Sequence, residues 1–213
     1  SVELFLRRPT IRQSLLAVNP DALDDFRFRW GDKLGFHGVT LVPGGKTERW
    51  ETVLSALQHV QPQVTHVAVH DAARPLASRQ LIDRMLEAAE RYPAVIPGLP
   101  VSATLKRVEP LAPAEAETDP LDAILGSAGK SRTQVQRVTG TVERQHLVEV
   151  QTPQVFAVDL LRRAYAQITS GQLTGRGITD DAGLVEALGE PVHVVEGEAL
   201  NLKITRPDDL ALA

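Results

Sequence analysis

The chain has 213 residues, of which 43% are apolar and 23% charged, and its 23 Lys and Arg against 27 Asp and Glu give a formal net charge of −4. This composition excludes a disordered chain, and the absence of cysteine excludes disulfides, zinc–thiolate centres, iron–sulfur clusters and thiol nucleophiles. The charge balance provides no basic field for nucleic acid or membrane, and no apolar run approaches the ~20 residues that span a bilayer. We therefore expect one domain over residues 1–213, located in the cytoplasm and without a nucleic-acid or membrane partner.

Strand-like and helix-like runs alternate in the first half of the chain. Short apolar runs predict strands, and apolar residues spaced three and four apart predict helices. Ser78 is the expected N-cap of the third helix, and Pro97 and Pro100 are expected to break the last strand. This alternation predicts an α/β fold with a mostly parallel sheet covered by helices on both faces. The predicted strands are 14–18, 37–42, 64–70 and 95–96. The predicted helices are 21–26, a second one beginning at 47, and 79–91. The inner face of the second helix is formed by Trp50, Val53, Leu54, Leu57 and Val60.

The second half of the chain is less regular. Gly189 is the expected stop of its last helix. Segment 109–131 carries three prolines and an acidic, alanine-rich filling, which predicts a mobile surface excursion. The predicted strands of this half are 101–108, 134–142, 147–150, 192–195 and 200–204, and the predicted helices cover 158–168 and 180–188.

An apolar strand leads into the sequence His-Asp-Ala-Ala-Arg-Pro at 70–75. Ligands of parallel sheets bind at the carboxyl ends of the strands, where Asp71 could hold a divalent cation. Ala72 and Ala73 would let a nucleotide sugar or phosphate approach the backbone, and Arg74 would supply charge for a phosphate. The same residues also fit a plain turn in which Asp71 caps the strand end and Arg74 is solvated. The pattern alone leaves both interpretations open.

Two further features could contact an anion. Gly44 and Gly45 stand between a predicted strand and a predicted helix, where backbone N–H groups attract anions and polar ligand edges, although the spacing of a P-loop is lacking. A plain turn is the more common explanation of such a glycine pair. Lys203 lies in an otherwise apolar predicted strand, so it should meet an anion, either an internal carboxylate or a phosphate.

The remaining segments are less informative about chemistry. Segment 151–156 indicates a turn with side-chain hydrogen bonds, and Asp180 with Asp181 indicates the acidic first turn of a helix. No G-x-S-x-G elbow accompanies His70, which disfavours a serine hydrolase, and the histidines lack metal-ligand spacing.

The chain resembles the 2-C-methyl-D-erythritol 4-phosphate cytidylyltransferases in a set of stretches that run in family order from Val42 to its end. These are VPGG…ER, VHDAARP, ATLKR, TVER, QTPQVF, ITDDAGLVEALG and VEGEALNLKITRPDDLALA. The resemblance implies a Rossmann-like nucleotidyltransferase fold and a homodimer joined through β-arms, each formed by residues 101–146. It also implies the reaction of CTP with methylerythritol 4-phosphate to give CDP-methylerythritol and pyrophosphate.

The resemblance further implies roles for individual residues. Lys203 and Arg74 would be catalytic, with Lys203 stabilising charge on the α-phosphate, and Asp71 with Asn201 would hold Mg²⁺ or another divalent cation. The residues implied in nucleotide binding are Gly44, Gly45, Thr52, Asp71 and Ala72, with Gly45 and Thr52 on the cytosine, and those implied in binding the second substrate are Thr104, Arg144, Thr152 and Thr179.

The chain departs from the family pattern in three places. The family's opening strand and Gly-rich loop, P-A-A-G-x-G-x-R-M followed by P-K-Q, has no match, so the first βα unit is expected to be absent and the roles of its Arg and Lys are not transferred. The turn at Gly44 and Gly45 has one residue more than the family spacing and lacks the usual acidic residue after the glycines. Segment 109–131 lengthens the arm and is expected to change its tip, not the chemistry.

Two alternatives stay open at this point. A ribitol 5-phosphate cytidylyltransferase would share the fold and the CTP chemistry with a different acceptor, although VHDAARP favours methylerythritol phosphate. A non-catalytic nucleotide-binding dimer would explain the unmatched Gly-rich loop.

Overall fold

The computed structural model describes residues 2–110, 135–174 and 178–212. The chain divides into two compact units, the first formed by Ser1–Leu99 with Glu149–Ala213 and the second by Pro100–Val148. The predicted arm, residues 101–146, falls within the second unit. Residues 111–131 of the predicted excursion lie outside the described residues, so the expectation for them stays a prediction.

The helices and strands follow each other in the order expected of an α/β chain. The helices are α1 (Val2–Leu6), α2 (Leu23–Phe36, preceded by a 3₁₀ turn at Pro20–Ala22), α3 (Arg49–Leu57), α4 (Arg79–Ala89), α5 (Val158–Thr169), α6 (Asp181–Ala187) and α7 (Asp209–Leu212). The strands are β1 (Ser14–Val18), β2 (Val39–Pro43), β3 (His66–Val69), β4 (Ala94–Pro100), β5 (Leu105–Val108), β6 (Val138–Val142), β7 (Val148–Val150), β8 (Gln154–Ala157) and β9 (His193–Glu196).

The first unit contains two sheets that bring strand ends toward the candidate site. β1 and β2 pair in parallel, with Ser14 opposite Val39. The second sheet has the order β3-β8-β4-β7, and β9 pairs with β4. β9 is parallel to β4, whereas β8 is antiparallel to both β3 and β4. The predicted α/β class is therefore confirmed, and β8 adds an antiparallel strand to the sheet.

Helices α3, α4, α5 and α6 supply the core of the first unit. Val53 and Leu57 of α3 are buried as their helical spacing predicts. One core cluster joins Phe156, Leu161, Tyr165, Leu184 and Val185 with the inner face of α3, and a second joins Leu81 and Met85 of α4 with Val95 and Val155. Burial of one such side chain stabilises the fold by about 1.5–3 kcal/mol. This packing fixes the strand ends that carry the site residues.

Ser78 caps α4 as predicted, because its hydroxyl oxygen accepts the Leu81 N–H at 3.0 Å.

Three predictions about the first unit are wrong. The predicted short helix 21–26 is the longer α2. Pro97 does not break β4, because its carbonyl oxygen still accepts the Gln151 N–H at 2.8 Å. Segment 200–204 is not a regular strand, and its backbone-to-backbone link with the turn after β3 is a single hydrogen bond, from Ile204 N–H to the Ala73 carbonyl (2.8 Å).

The second unit is built around the antiparallel hairpin of β5 and β6. Leu105 pairs with Val142, and the register shifts between Arg107 and Val108. The strand predicted over 101–108 is limited to β5. Several apolar side chains of this unit are exposed, among them Val108, Val135 and Val138. Across the described ranges, none of the helices combines the length and the apolar character that crossing a membrane requires.

Candidate functional site

The turn after β3 places Asp71 at the carboxyl end of that strand. The Arg74 N–H closes the turn by donating to the Asp71 carbonyl oxygen at 2.9 Å. The Asp71 N–H donates to the Thr152 hydroxyl oxygen at 3.0 Å, which ties the turn to the segment before β8. Ala72 is exposed within the turn. The structure therefore combines the two interpretations of the motif, a hydrogen-bonded turn and a carboxylate at a strand end.

The Asp71 carboxylate lies between two cations. Arg49 Nε is 3.3 Å from Oδ1, and Lys203 Nζ is 2.9 Å from Oδ2. Burial alone raises the pKa of Asp71, but the hydrogen bond from Lys203 and the charge of Arg49 outweigh it, so the pKa lies below its usual value. The anion that Lys203 was predicted to need is this carboxylate. Asp71 is consequently ionised at neutral pH.

Arg49 extends this charge chain into the core. Its Nη1 is 2.8 Å from Oδ2 of Asp181, a residue with no solvent exposure. Oδ1 of Asp181 accepts the Tyr165 hydroxyl at 2.5 Å. Burial lowers the pKa of Arg49, yet the charges of Asp181 and Asp71 raise it above its usual value. The pKa of Tyr165 is raised, first by burial and then by Asp181, so the phenol stays protonated and donates.

His70 holds the other side of the turn. Its Nδ1 is 3.1 Å from the Thr152 hydroxyl oxygen, and its Nε2 is 3.0 Å from the Arg74 carbonyl oxygen. Because the Thr152 oxygen already accepts the Asp71 N–H, its own proton is available for Nδ1, which assigns the ring proton to Nε2. Burial lowers the pKa of His70, so the ring is neutral at neutral pH.

Arg74 and Asn201 are linked through the backbone. Arg74 Nη1 donates to the Asn201 carbonyl oxygen at 2.7 Å. Burial lowers the pKa of Arg74, and the charge of Asp71 opposes this shift. Asn201 is fully buried, and its Nδ2 donates to the Thr152 carbonyl at 2.9 Å and to Gln151 Oε1 at 3.2 Å. These bonds gather the predicted catalytic and metal-binding residues in one neighbourhood of the first unit.

The donor set around Asp71 fits a hard divalent cation. Asp71 supplies a carboxylate, and within the described part of the chain the buried Oδ1 of Asn201 has no hydrogen-bond partner. A buried polar atom without a partner costs free energy, so this oxygen is available to accept a ligand. Mg²⁺ is commonly held by one or two protein oxygens together with substrate phosphates. Asp71 and Asn201 are the residues that could hold it.

The turn between β2 and α3 holds the predicted nucleotide-binding glycines. The Gly45 N–H donates to the Thr52 hydroxyl oxygen at 2.9 Å, and the Gly44 N–H donates to the Val18 carbonyl at 2.7 Å. A Cβ on Gly45 would lie 2.3 Å from the Cβ of Glu51, so this position accepts only glycine without movement. The turn is thus closely packed against the first turn of α3.

The remaining predicted site residues take no part in the hydrogen bonds and ion pairs described above. Thr179 is exposed just before the N-cap of α6. Thr104 and Arg144 belong to the second unit, where both are exposed and the Arg144 guanidinium donates to the Ser102 carbonyl oxygen. For these three residues, contact with the substrate stays a prediction.

Sequence reasoning missed the inner half of the charge chain. Asp180 caps α6 as expected, since its Oδ1 accepts the Gly183 N–H at 3.1 Å, but Asp181 is a buried partner of Arg49 and Tyr165. The segment 151–156, interpreted only as a turn, contains the first three residues of the strand β8. A usable signal existed in Tyr165, because a tyrosine on the buried face of a helix needs a hydrogen-bond partner for its hydroxyl.

The chain is similar to known sequences over nearly its whole length. Residues 1–120 and 122–213 match the family model described as "IspD: 2-C-methyl-D-erythritol 4-phosphate cytidylyltransferase". A protein of this name from Acidobacterium capsulatum is 35% identical, and the alignment covers 100% of this chain and 79% of the relative. One from Symbiobacterium thermophilum is 39% identical, covering 82% and 63%. A "Bifunctional enzyme IspD/IspF" from Desulfotalea psychrophila is 36% identical, and this chain spans 47% of it.

Solved structures show the same fold. The crystal structure of a 2-C-methyl-D-erythritol 4-phosphate cytidylyltransferase from Thermus thermophilus superposes with a TM-score of 0.73 at 34% identity, covering 100% of this chain and 84% of that one. A 4-diphosphocytidyl-2C-methyl-D-erythritol synthase from Anaerococcus prevotii superposes with a TM-score of 0.75 at 25% identity, covering 99% and 81%. The predicted nucleotidyltransferase fold is therefore confirmed.

Proposed function

Because the chain belongs to the 2-C-methyl-D-erythritol 4-phosphate cytidylyltransferase family, we propose that it transfers the cytidylyl group of CTP to 2-C-methyl-D-erythritol 4-phosphate. The observation that supports this most directly is the Asp71 carboxylate held between Lys203 and Arg49 at a strand end. The Asp71 carboxylate can bind a cation, and the exposed Lys203 ammonium beside it can bind a phosphate. Nucleotidyl transfer needs both groups. We further propose that the enzyme acts in the cytoplasm, where CTP is made.

In this reaction a phosphate oxygen of the acceptor attacks the α-phosphorus of CTP. The new P–O bond forms as the bond from the α-phosphorus to the bridging oxygen breaks, and pyrophosphate leaves. Such transfers depend mainly on positioning and on neutralising phosphate charge. Lys203 provides one positive charge for the α-phosphate, and its side chain is 44% exposed, so it can turn from Asp71 to a ligand. Arg74 provides a second cation beside the same turn.

Asp71 and Asn201 would hold Mg²⁺, which when bound neutralises charge on the triphosphate. Arg49 keeps one Asp71 oxygen in place through its own anchorage on Asp181. Gly44, Gly45, Thr52 and Ala72 contact the nucleotide in this proposal. A fully ionised phosphate oxygen only accepts hydrogen bonds. For Thr152 to contact the substrate phosphate, its hydroxyl must therefore turn its proton away from His70 Nδ1 and donate it to the phosphate.

The second unit contributes the remaining contacts in this proposal. Thr104 and Arg144 bind the methylerythritol phosphate together with Thr179, and the β-arm joins two copies of the chain into a homodimer. The exposed apolar side chains of the hairpin, Val135 and Val138 among them, support an arm that packs against a second copy.

The test is pyrophosphate release from CTP with Mg²⁺ and either methylerythritol 4-phosphate or ribitol 5-phosphate. We expect turnover with methylerythritol phosphate, and a loss of at least a hundredfold in Lys203→Met, since one transition-state contact is worth about 2.7–4 kcal/mol. Arg163→Met, at an exposed ion pair with Glu190, is the matched control and should keep full activity. Faster turnover of ribitol phosphate would identify the other acceptor, and CTP binding without turnover would identify the non-catalytic dimer.

A further inference from the structure

The turn between β2 and α3 uses all of its backbone donors internally. Five consecutive N–H groups, those of residues 44–48, each have an acceptor within the chain. Gly44 donates to the Val18 carbonyl at 2.7 Å, and Gly45 donates to the Thr52 hydroxyl oxygen at 2.9 Å. The next three N–H groups all point to one carboxylate oxygen, Oε2 of Glu51, at 3.1, 3.0 and 3.3 Å in chain order.

Glu51 is built into this turn. Its Oε1 accepts the Thr47 hydroxyl at 2.8 Å, while Oε2 holds the three N–H groups. These backbone bonds, that of Thr47 first, lower the pKa of Glu51, so the side chain is a carboxylate at neutral pH. The absence of a side chain on Gly45 is what admits Glu51, since a Cβ there would lie 2.3 Å from its Cβ and 2.9 Å from its Oε2.

The turn consequently presents acceptors to a ligand. Among the described residues, no hydrogen bond reaches the carbonyl oxygens of Gly44, Gly45 or Lys46. The Thr52 hydroxyl accepts the Gly45 N–H and donates to no described residue, so its proton is the one donor left at this place. A base that binds here must therefore offer donor hydrogens to carbonyl oxygens and an acceptor to a hydroxyl proton.

This pattern separates cytosine from uracil. Cytosine carries an exocyclic amino donor at C4 next to the N3 acceptor, which matches carbonyl oxygens beside a hydroxyl proton. Uracil carries O4 and an N3–H at the same places, so its O4 would face carbonyl oxygens and lose its hydrogen bond. Sites that lose a buried hydrogen bond with the wrong ligand discriminate strongly.

We propose that Glu51 is a positioning residue that sets the base preference of this enzyme: by holding the N–H groups of residues 46–48, it leaves the turn as an acceptor surface that takes the amino group of cytosine and rejects O4 of uracil. The inference rests on the proposed function, because it assumes that the base of the nucleotide lies at this turn.

The test compares CTP with UTP in the ratio of kcat/KM for pyrophosphate release and in equilibrium dialysis of each nucleotide. Glu51→Ala frees three donors, so the CTP to UTP ratio should fall by about tenfold or more, the equivalent of one hydrogen bond. Glu51→Gln keeps an acceptor oxygen and should retain most of the ratio. Arg29→Ala removes an exposed ion pair with Asp25 within α2, outside this turn, and its ratio should equal that of the unsubstituted chain.

The outcomes separate this inference from the proposed function. If the unsubstituted chain prefers CTP and Glu51→Ala keeps that preference while melting as a folded protein, the role of Glu51 is refuted and the cytidylyltransferase proposal stands. If the unsubstituted chain uses CTP and UTP equally, the inference falls and transfer from CTP stands. If it releases no pyrophosphate from CTP, the proposed function falls. Both kcat/KM values are measured on the same preparation of a variant. Partial unfolding lowers both by the same factor, so it does not change the ratio of CTP to UTP.

Discussion

Arg49 joins two carboxylates that differ in their contact with solvent. Asp181 is completely buried, whereas the Asp71 side chain is 16% exposed and faces the site. A buried ion pair contributes little net stability when intact, but removal of one partner leaves a charge that water cannot reach. The position of Asp71 therefore depends on a core residue that no ligand touches.

Arg49→Met should lower the free energy of unfolding by about 3–5 kcal/mol, because it leaves the Asp181 charge buried without its partner. Adding Asp181→Asn should recover most of that loss, since the amide carries no charge and can still bond to the Tyr165 hydroxyl. Urea unfolding of the two variants and of the single Asp181→Asn completes the cycle.

Arg163→Met provides the control for that cycle. Arg163 pairs with Glu190 at 2.7 Å, but both side chains are exposed, so we expect a loss below about 1 kcal/mol. Equal losses at Arg163 and Arg49, or no recovery in the double variant, would contradict the account of a buried charge.

Single residues with strong chemical demands were predictable from the sequence. Lys203 was expected to meet an anion and does so, and Asp71 lies at the strand end where the motif placed it. Arg49 and Asp181 were not found, because an exposed arginine and a helix-capping carboxylate look the same in sequence as this buried pair. They are 132 positions apart, and only the packing of α5 and α6 against α3 brings them together.

At the scale of elements, the turn between β2 and α3 is fixed by mutual fit of two side chains and two glycines. Glu51 and Thr52 enter the space above Gly44 and Gly45, where added Cβ atoms would lie 3.1 Å from the Thr52 methyl and 2.3 Å from the Glu51 Cβ. The side chains of Glu51 and Thr52 thus hold the backbone of this turn through hydrogen bonds.

Gly45→Ala should therefore displace Glu51 and the start of α3, because the new methyl also lies 2.9 Å from the Thr52 backbone nitrogen, which cannot swing aside. We expect a stability loss of about 1–3 kcal/mol and weaker CTP binding. Gly140→Ala is the matched control, since nothing lies within 4 Å of its added Cβ. Similar melting temperatures of the two variants would argue against the close packing of this turn.

Helices and strands with a repeating apolar pattern were also predictable from the sequence. Strands that form only because neighbouring strands pair with them were not. α4 begins after its predicted N-cap, Ser78, and its residues Arg79–Ala89 lie within the predicted range 79–91. β8 was missed because its four residues follow a proline and polar side chains, and it exists as a strand through pairing with both β3 and β4. Segment 200–204 has the apolar pattern of a strand, but its backbone N–H groups form isolated hydrogen bonds, from Asn201 to Glu198 and from Ile204 to Ala73, in place of a strand ladder.

At the scale of the molecule, the hairpin of β5 and β6 raises the question of assembly. An isolated two-stranded hairpin is marginally stable in water, and this one exposes Val135 and Val138. Packing against a second copy would remove those side chains from water, in keeping with the proposed homodimer.

Val138→Lys should weaken that association by placing a charge in the contact, and we expect a shift from dimer to monomer in sedimentation velocity at micromolar concentration. Ala166→Lys adds the same charge at an exposed position of α5 in the first unit, outside the hairpin, and should leave the dimer intact. A monomeric unsubstituted chain, or equal effects of both variants, would contradict assembly through this face.

The chain from Tyr165 through Asp181 and Arg49 to Asp71 also affects how variants of this protein should be read. Tyr165 packs with Phe156 and Leu161 in the core, yet its hydroxyl is two ion pairs away from the candidate metal ligand. A mutational scan scored by growth or turnover alone would mark such positions as catalytic. Only a parallel measurement of the amount of folded protein would distinguish a variant that is destabilised from one that lacks a catalytic group.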